Sequence, residues 1–136
     1  MARTAALMIQ IATGDPRPIV RQITDAVRMR IATGELAHGQ QLPSVRGLAQ
    51  QLTINPNTVA KAYAELVSEG WLDARQGMGF YVAPPRQRLS EAERERRLDE
   101  AVAQFVNDVV PLGLPVATVR QRIDEAFAQT LVRKRA

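Results

Sequence analysis

Residues 42–83 read LPSVRGLAQQLTINPNTVAKAYAELVSEGWLDARQGMGFYVA and contain the clearest structural signals in the chain. Two short segments with helical patterning flank a break at residues 53–55. Ser44 and Asn55 each precede one of these segments, and both are residue types that cap helix N-termini. Pro56 suits a first helical position, where its missing N–H costs nothing. Two short helices joined by a turn of about three residues form a helix-turn-helix.

The apolar residues of both segments recur at intervals of three and four, the spacing of one helix face. In the first segment this face carries Val45, Leu48, Ala49 and Leu52. In the second segment, which we expect to end at Gly70, the inward residues are Val59, Ala62, Tyr63, Leu66 and Val67. The pattern predicts one buried face on each helix.

The residues that follow predict a β-hairpin. Residues 71–74 and 79–83 have the composition of strands, and glycines punctuate the turn between them. A hairpin directly after a helix-turn-helix is a wing. We therefore expect a fold of the α+β class, mainly α, with an N-terminal winged helix-turn-helix over residues 8–83.

Upstream of this motif, an apolar residue recurs at every fourth position from 19 to 31. This spacing predicts an amphipathic helix that ends at Gly34, a residue suited to the left-handed conformation of helix ends. Asp15 or a nearby residue is expected to cap its start. The alternating pattern of residues 8–11 predicts a short strand.

The C-terminal third has a different organisation. Residues 84–89 predict a stiff, polar, proline-containing linker, and Ser90 opens a capping box. Two amphipathic helices follow within residues 90–133, without a third helix to cover their apolar faces. They must pack on the first domain or on another copy of themselves, and we favour a short two-helix dimerisation element. Its candidate dimerisation residues are Leu98, Val102, Phe105, Val109, Val119, Ile123 and Phe127.

Composition limits the classes of function. The 136 residues include 18 Lys and Arg, 14 Asp and Glu, one His and no Cys. This leaves little for thiolate metal sites, Cys nucleophiles or a Ser-His-Asp triad, so we expect neither an enzyme nor a cofactor. No apolar run approaches the roughly 18 residues of a membrane span, and the N-terminus is a poor signal peptide. We expect a cytoplasmic protein without a membrane partner.

The net charge of +4 lies entirely within residues 1–88, which hold ten basic and six acidic residues. A basic surface favours an anionic partner, although a merely soluble basic protein explains the charge equally well. Residues 89–136 hold eight residues of each sign.

Candidate DNA contacts lie at the start of the second short helix. Asn57 has the geometry for bidentate pairing with adenine, and Thr58 offers a hydroxyl or a methyl group to base edges. Lys61, one turn further, is placed for a phosphate, and Arg46 on the preceding helix for the DNA backbone or a guanine. Taken singly, each position is explained equally well by an ordinary solvated helix residue.

The hairpin turn carries a second group of candidates. Arg75 and Gln76 flank the narrow tip at Gly77, and an Arg beside a bare glycine suits the minor groove, where the potential is most negative. In isolation the glycines are ordinary turn residues. The order and the lengths of the elements favour DNA binding.

The chain resembles the GntR family of bacterial transcription regulators. The resemblance spans about residues 8–83 and is carried by Gly34-Glu35-Leu36, by Leu42-Pro43-Ser44-Val45-Arg46 and by Asn55-Pro56-Asn57-Thr58-Val59. It continues through Glu69-Gly70-Trp71-Leu72 to Val82. The Asn-Pro-Asn-Thr-Val form, the early strand and a tail of only two helices are similar to the YtrA-like subfamily, whose small C-terminal domain serves dimerisation.

The resemblance implies a homodimer that binds an inverted-repeat operator and represses transcription, often of its own operon together with transporter genes. It implies DNA contacts from Ser44, Arg46, Asn57, Thr58, Lys61, Gln76 and Gly77. Many relatives outside the subfamily have Arg where this chain has Ala60, so that base contact must be absent or replaced.

A winged-helix protein-interaction module without specific DNA binding is the alternative, and the polar, acid-free start of the second helix argues against it. A small-molecule inducer is unknown, and the dimer interface or the interdomain groove is a better place for one than the tail alone. The acidic residues of the tail favour at most a weak hard-cation site, and they are Glu91, Glu93, Asp99 and Glu100.

Overall fold

The computed structural model describes residues 9–12, 14–84 and 90–135, with side chains up to residue 131, and the chain divides into two compact units at residue 86. The first unit contains α1 (Ile19–Ala32), α2 (Val45–Leu52), α3 (Pro56–Ser68), β1 (Leu72–Arg75) and β2 (Gly79–Val82). The second unit contains α4 (Glu91–Val109), a 3-10 turn (Val110–Leu112) and α5 (Val116–Arg135). The expected fold class, α+β and mainly α with a winged helix-turn-helix, is confirmed.

Side-chain caps fix the starts of α2 and α3, as the sequence predicts. The Ser44 hydroxyl accepts a hydrogen bond of 2.9 Å from the Gly47 N–H, and the Asn55 side-chain oxygen accepts one of 2.8 Å from the Asn57 N–H. Thr53 ends α2 in the left-handed conformation, with φ at 57°. These caps satisfy N–H groups that a helix start leaves unpaired.

The segment before α1 does not form the predicted strand. Residues 9–11 are not a strand, and Met8 lies outside the described residues. Ile9 is buried in the core, while the nearby Ala12 N–H donates to the Gln22 side-chain oxygen at 3.1 Å. The segment packs on α1 and not on a second strand. Its alternating pattern therefore shows that one side of the segment is buried, and not that it belongs to a sheet.

The start of α1 is fixed by an ion pair rather than by a side-chain cap. The N-cap position is Pro18, and Asp15 instead accepts hydrogen bonds from the Arg17 N–H and guanidinium. The Arg17 guanidinium lowers the pKa of the Asp15 carboxyl to about 2. Arg17 also contacts Asp25 at 2.8 Å, which joins the preceding turn to α1.

The core of the first unit lies among the three helices and the hairpin. Its fully buried side chains alternate with exposed polar ones at helical spacing, so that burial of apolar area stabilises the arrangement. The largest of them are Tyr63, Ile23, Leu42, Leu48, Leu66, Leu72, Val27, Val59 and Val82. α3 therefore presents one face to the core and keeps the opposite face exposed.

The hairpin pairs antiparallel, with Leu72 opposite Val82 and Arg75 opposite Gly79. The strands differ from the expected bounds by one residue at the ends. The loop before α2 borders the other edge of β2, where the Leu42 N–H donates to the Phe80 carbonyl at 2.8 Å. The Val82 N–H likewise donates to a backbone carbonyl of this loop at 2.9 Å. The wing is thus attached to the segment that leads into α2.

The second unit is a helical hairpin. The Ser90 hydroxyl accepts a hydrogen bond of 3.1 Å from the Glu93 N–H, which confirms the predicted start of α4. Gly113, with φ at 68°, makes the turn before α5. Residues 85–89 of the expected linker lie outside the described residues. Within the described chain, no helix is both long and apolar enough to cross a bilayer.

Candidate nucleic-acid interface

The first two turns of α3 carry three of the predicted DNA contacts on one outer face. Asn57 and Lys61 are exposed and lie four residues apart, so they are neighbours on the helix surface, and Thr58 beside them is half-buried. The opposite face of the same turns buries Val59 and Ala62. The structure therefore brings Asn57, Thr58 and Lys61 together and leaves Asn57 and Lys61 exposed.

α2 contributes the two remaining helical candidates. Arg46 is exposed and lines an open groove of about 590 Å³ together with Asn55 and Pro56, at the start of α3. Ser44 is exposed as well, but its hydroxyl already accepts the Gly47 N–H as the α2 cap. Arg46 is thus brought beside the first turn of α3, and Ser44 has a structural role in addition to any contact.

The electrostatics of this face favour an anion. The first turns of α2 and α3 contain no acidic residue. Among the described residues, the Arg46 guanidinium and the Lys61 ammonium have no hydrogen-bond or ion-pair partner. Arg28 of α1, by contrast, is paired with Asp25 and Glu69 at 3.0 Å each. Arg46 in the first turn of α2 and Lys61 in the second turn of α3 are both unneutralised, and such cations near acid-free helix starts favour binding of a phosphate.

The wing tip presents the other candidates. Arg75, Gln76 and Gly77 are exposed, and the Met78 N–H donates to the Arg75 carbonyl at 2.9 Å to close the turn. Gly77 has φ at 75°, a conformation that a residue with a Cβ rarely adopts. The Arg75 guanidinium lies over the Tyr81 ring, 4.1 Å from its centroid, a cation–π contact.

Two residues of this region escaped the sequence reasoning. Gln41 donates from its side-chain nitrogen to the Met78 carbonyl at 2.9 Å, a contact across 37 positions of chain. Tyr81 holds the Arg75 side chain from β2. Neither residue belongs to a sequence motif. The strand register is the one signal that could have indicated the contact between Arg75 and Tyr81.

The predicted dimerisation residues lie on the outside of the second unit. Phe105 is 41% exposed and Phe127 62% exposed, although both are large apolar side chains. An apolar groove of about 300 Å³ runs between α4 and α5. Four of the seven predicted residues line this groove, namely Phe105, Val109, Val119 and Ile123. The other three, Leu98, Val102 and Phe127, lie outside it and are exposed.

Two acidic residues of the tail, Glu93 and Glu100, are engaged with arginines. Glu93 accepts hydrogen bonds from Arg96 at 2.5 Å and from Arg97 at 3.2 Å, and Arg96 also contacts Glu100. These arginines lower the pKa of Glu93 to about 2. No group of three or more potential metal ligands occurs within the residues that the structure describes.

The hairpin after the helix-turn-helix and the exposed, unneutralised start of α3 define the first unit as a winged helix-turn-helix DNA-binding domain. The family described as "Bacterial regulatory proteins, gntR family" matches residues 19–82. The HTH-type transcriptional repressor YtrA of Bacillus subtilis (strain 168) is 32% identical over 121 residues, 89% of this chain and 93% of that protein.

Solved structures agree with this similarity. A transcriptional antiterminator from Listeria monocytogenes EGD-e superposes with a TM-score of 0.81 at 27% identity, over 91% of this chain and 92% of that one. The DNA-binding domain of AraR in complex with operator ORX1 has a TM-score of 0.51 at 29% identity, over 55% of this chain and 96% of that one. The chain belongs to the gntR family of bacterial regulatory proteins, and the predicted resemblance to YtrA is confirmed. It is a transcription regulator built on a winged-helix DNA-binding domain.

Proposed function

We propose that the protein is a dimeric, sequence-specific repressor that binds an inverted-repeat operator in double-stranded DNA. Residues 56–69 enter the major groove, and the wing, residues 75–79, enters the minor groove. The observation that carries this proposal is the outer face of α3, where polar side chains and the unpaired Lys61 ammonium surround an acid-free helix start. A face of this kind is complementary to a phosphate backbone and to base edges.

The contacts divide by chemistry. Asn57 and Thr58 are assigned to base edges, because an amide matches adenine and a hydroxyl or methyl group reads several bases. Lys61, Arg46 and Ser44 are assigned mainly to the phosphate backbone, which fixes the register of the protein on DNA.

Two further positions complete the DNA-binding surface. Ala60 is exposed on the same side of α3 and offers only a methyl group, so recognition of the half-site depends on its neighbours. At the wing, Arg75, Gln76 and Gly77 are assigned to the minor groove, where the closed tip and the cation suit the negative potential.

The dimer is proposed from the apolar surface of the second unit. Large apolar side chains that remain exposed on α4 and α5 favour association with another protein surface. Because an inverted repeat has two-fold symmetry, we assign this surface to a second copy of the same helical hairpin. The α4–α5 groove receives an apolar side chain of the partner. Two recognition helices then reach half-sites separated by about one helical turn, roughly 34 Å.

The regulatory role that fits this arrangement is repression of the protein's own operon together with transporter genes. The relative from Bacillus subtilis is a repressor by name, and it is similar over most of both chains. The protein acts in the cytoplasm, by occupying DNA and without a catalytic step.

The test is fluorescence anisotropy with DNA from upstream of the protein's own gene, beside a scrambled duplex, at several salt concentrations. A preference of about 10³-fold or more for the upstream duplex is expected, as in other specific complexes. Weak and equal binding to both duplexes that vanishes with salt would overturn the proposal in favour of a protein-interaction module. Sedimentation equilibrium of the full chain tests the dimer separately.

A further inference from the structure

We propose that Gln41, in the loop before α2, is a positioning residue that holds the wing in its DNA-binding conformation and thereby aims Arg75. This inference rests on the proposed function, because its main readout is the contribution of Arg75 to DNA affinity. Gln41 itself is not assigned a DNA contact.

The anchor point is the Met78 carbonyl at the wing tip. The Gln41 side-chain nitrogen donates to this oxygen at 2.9 Å, and the Tyr81 hydroxyl approaches the same oxygen at 3.4 Å. Gln41 is half-buried and forms an isolated β-bridge with Tyr81, so its backbone is fixed as well. The tip is therefore held from the α1–α2 loop and not only by its own turn.

Gly79 makes room for this contact. A Cβ at Gly79 would lie 3.1 Å from the Gln41 side-chain nitrogen, closer than most such contacts, and the backbone there has φ at 111°. A glycine at this position adopts the positive φ without strain and leaves space for the Gln41 side chain.

The contact extends to Arg75 through Tyr81. Arg75 is opposite Gly79 in the strand register and Tyr81 is two residues further along β2, so Arg75 and Tyr81 are diagonal neighbours on one face. The Arg75 guanidinium lies over the Tyr81 ring, and the Tyr81 hydroxyl shares the carbonyl that Gln41 binds. A side chain held in this way loses less conformational freedom when it binds, and this raises affinity.

The experiment measures binding of the full chain to the duplex from upstream of its own gene, with substitutions at Gln41 and Arg75. Gln41→Ala removes the donor, and Gln41→Glu keeps the shape but places an ionised acceptor beside the carbonyl. Each should weaken binding by about 3- to 10-fold, the effect of one hydrogen bond. In an Arg75→Ala background, Gln41→Ala should cause no further loss, because Gln41 acts through Arg75.

Gln40→Ala is the matched control. Its side chain accepts the Ala37 N–H within the same loop, and no hydrogen bond from it to the wing tip occurs in the described structure. It should therefore leave the affinity unchanged. An equal loss for Gln40→Ala and Gln41→Ala, or a Gln41→Ala loss that is the same with and without Arg75, would mean a general loosening of the loop and would overturn the inference.

A second readout separates this inference from the proposed function. Hydrogen exchange of the free protein should accelerate in the wing of Gln41→Ala, including the Met78 amide that donates to Arg75, while exchange in α1 and α3 stays as in the wild type. Unchanged exchange in the wing would overturn the inference even if operator binding is confirmed. If the wild type shows no DNA preference, the proposed function fails, whereas the exchange result still decides the anchoring of the wing.

Discussion

The Tyr63 hydroxyl on α3 donates a hydrogen bond of 2.8 Å to the carbonyl oxygen of Pro43, the residue before the α2 cap. The Tyr63 ring is fully buried and packs against the Phe80 ring on β2 in a T-shaped arrangement, with centroids 4.8 Å apart. One side chain thus joins the start of α2, the recognition helix and the wing. Burial raises the pKa of Tyr63, so the hydroxyl stays neutral and remains a donor.

The first prediction concerns this contact. Tyr63→Phe keeps the ring but leaves the Pro43 carbonyl without its donor, so the free energy of unfolding should fall by about 1–3 kcal/mol. Urea denaturation followed by circular dichroism measures the change. Tyr81→Phe is the control, because its hydroxyl lies 3.4 Å from its acceptor and should contribute less. An equal or larger loss for Tyr81→Phe would contradict this account.

The second prediction separates base reading from phosphate binding on α3. Asn57→Ala should reduce affinity for the upstream duplex by about 1–3 kcal/mol and relax the base preference. Lys61→Ala should weaken binding to all sequences similarly and reduce the salt slope by about one. Anisotropy titrations on upstream and scrambled duplexes at several salt concentrations measure both effects.

Ser68→Ala, an exposed change at the far end of the same helix, is the control for these two variants and should bind as the wild type does. If Asn57→Ala and Lys61→Ala lost affinity to the same degree on both duplexes, the assigned roles would be wrong.

The third prediction tests the dimer. Phe105→Glu places a charge on the apolar face of α4, in the lining of the α4–α5 groove, and should convert the protein to monomers because a buried unpaired charge is costly. Sedimentation equilibrium should show this change, with a matching loss of operator affinity. Asn107→Glu adds the same charge at an exposed position away from the groove and should remain dimeric. Dimeric Phe105→Glu protein would place the interface elsewhere.

The fourth prediction concerns acid. Arg96 and Arg97 lower the pKa of Glu93 from 4.5 to about 2, so the folded state holds the ionised form more strongly than the unfolded state does. Glu93 therefore contributes stability above about pH 4.5, and this contribution is lost as the pH falls from 4.5 towards 2. Thermal unfolding followed at 222 nm across this range, at low salt, should show the loss in the wild type.

The Gln side chain of Glu93→Gln cannot titrate, so the stability of this variant should depend less on pH over the same range. No ion pair is described for Glu95, so Glu95→Gln should leave the pH dependence unchanged. Equal pH profiles for the wild type and Glu93→Gln would contradict the assigned ion pairs.

Local chemistry made much of the fold predictable. The break at Thr53, the caps at Ser44, Asn55 and Ser90, and the helical spacing of apolar residues depend on neighbours within four positions. A sequence displays such neighbours directly, and their hydrogen bonds form wherever the helix forms. The prediction of a strand at residues 8–11 is wrong. An alternating pattern indicates that one side of a segment is buried, but it does not show whether that side packs on a strand or on a helix.

In the candidate DNA-binding face, too, some features follow from the sequence and others only from the tertiary structure. The sequence by itself determined the helix-turn-helix and the wing, and it predicts Asn57, Lys61 and Arg75 as DNA contacts, since the types and spacing of all these residues lie in one short stretch. The tertiary structure alone decided that Tyr63 joins α2 to β2 and that Gln41 reaches Met78. These contacts link positions 20 and 37 apart, and such pairs meet only when burial of the core brings the segments together.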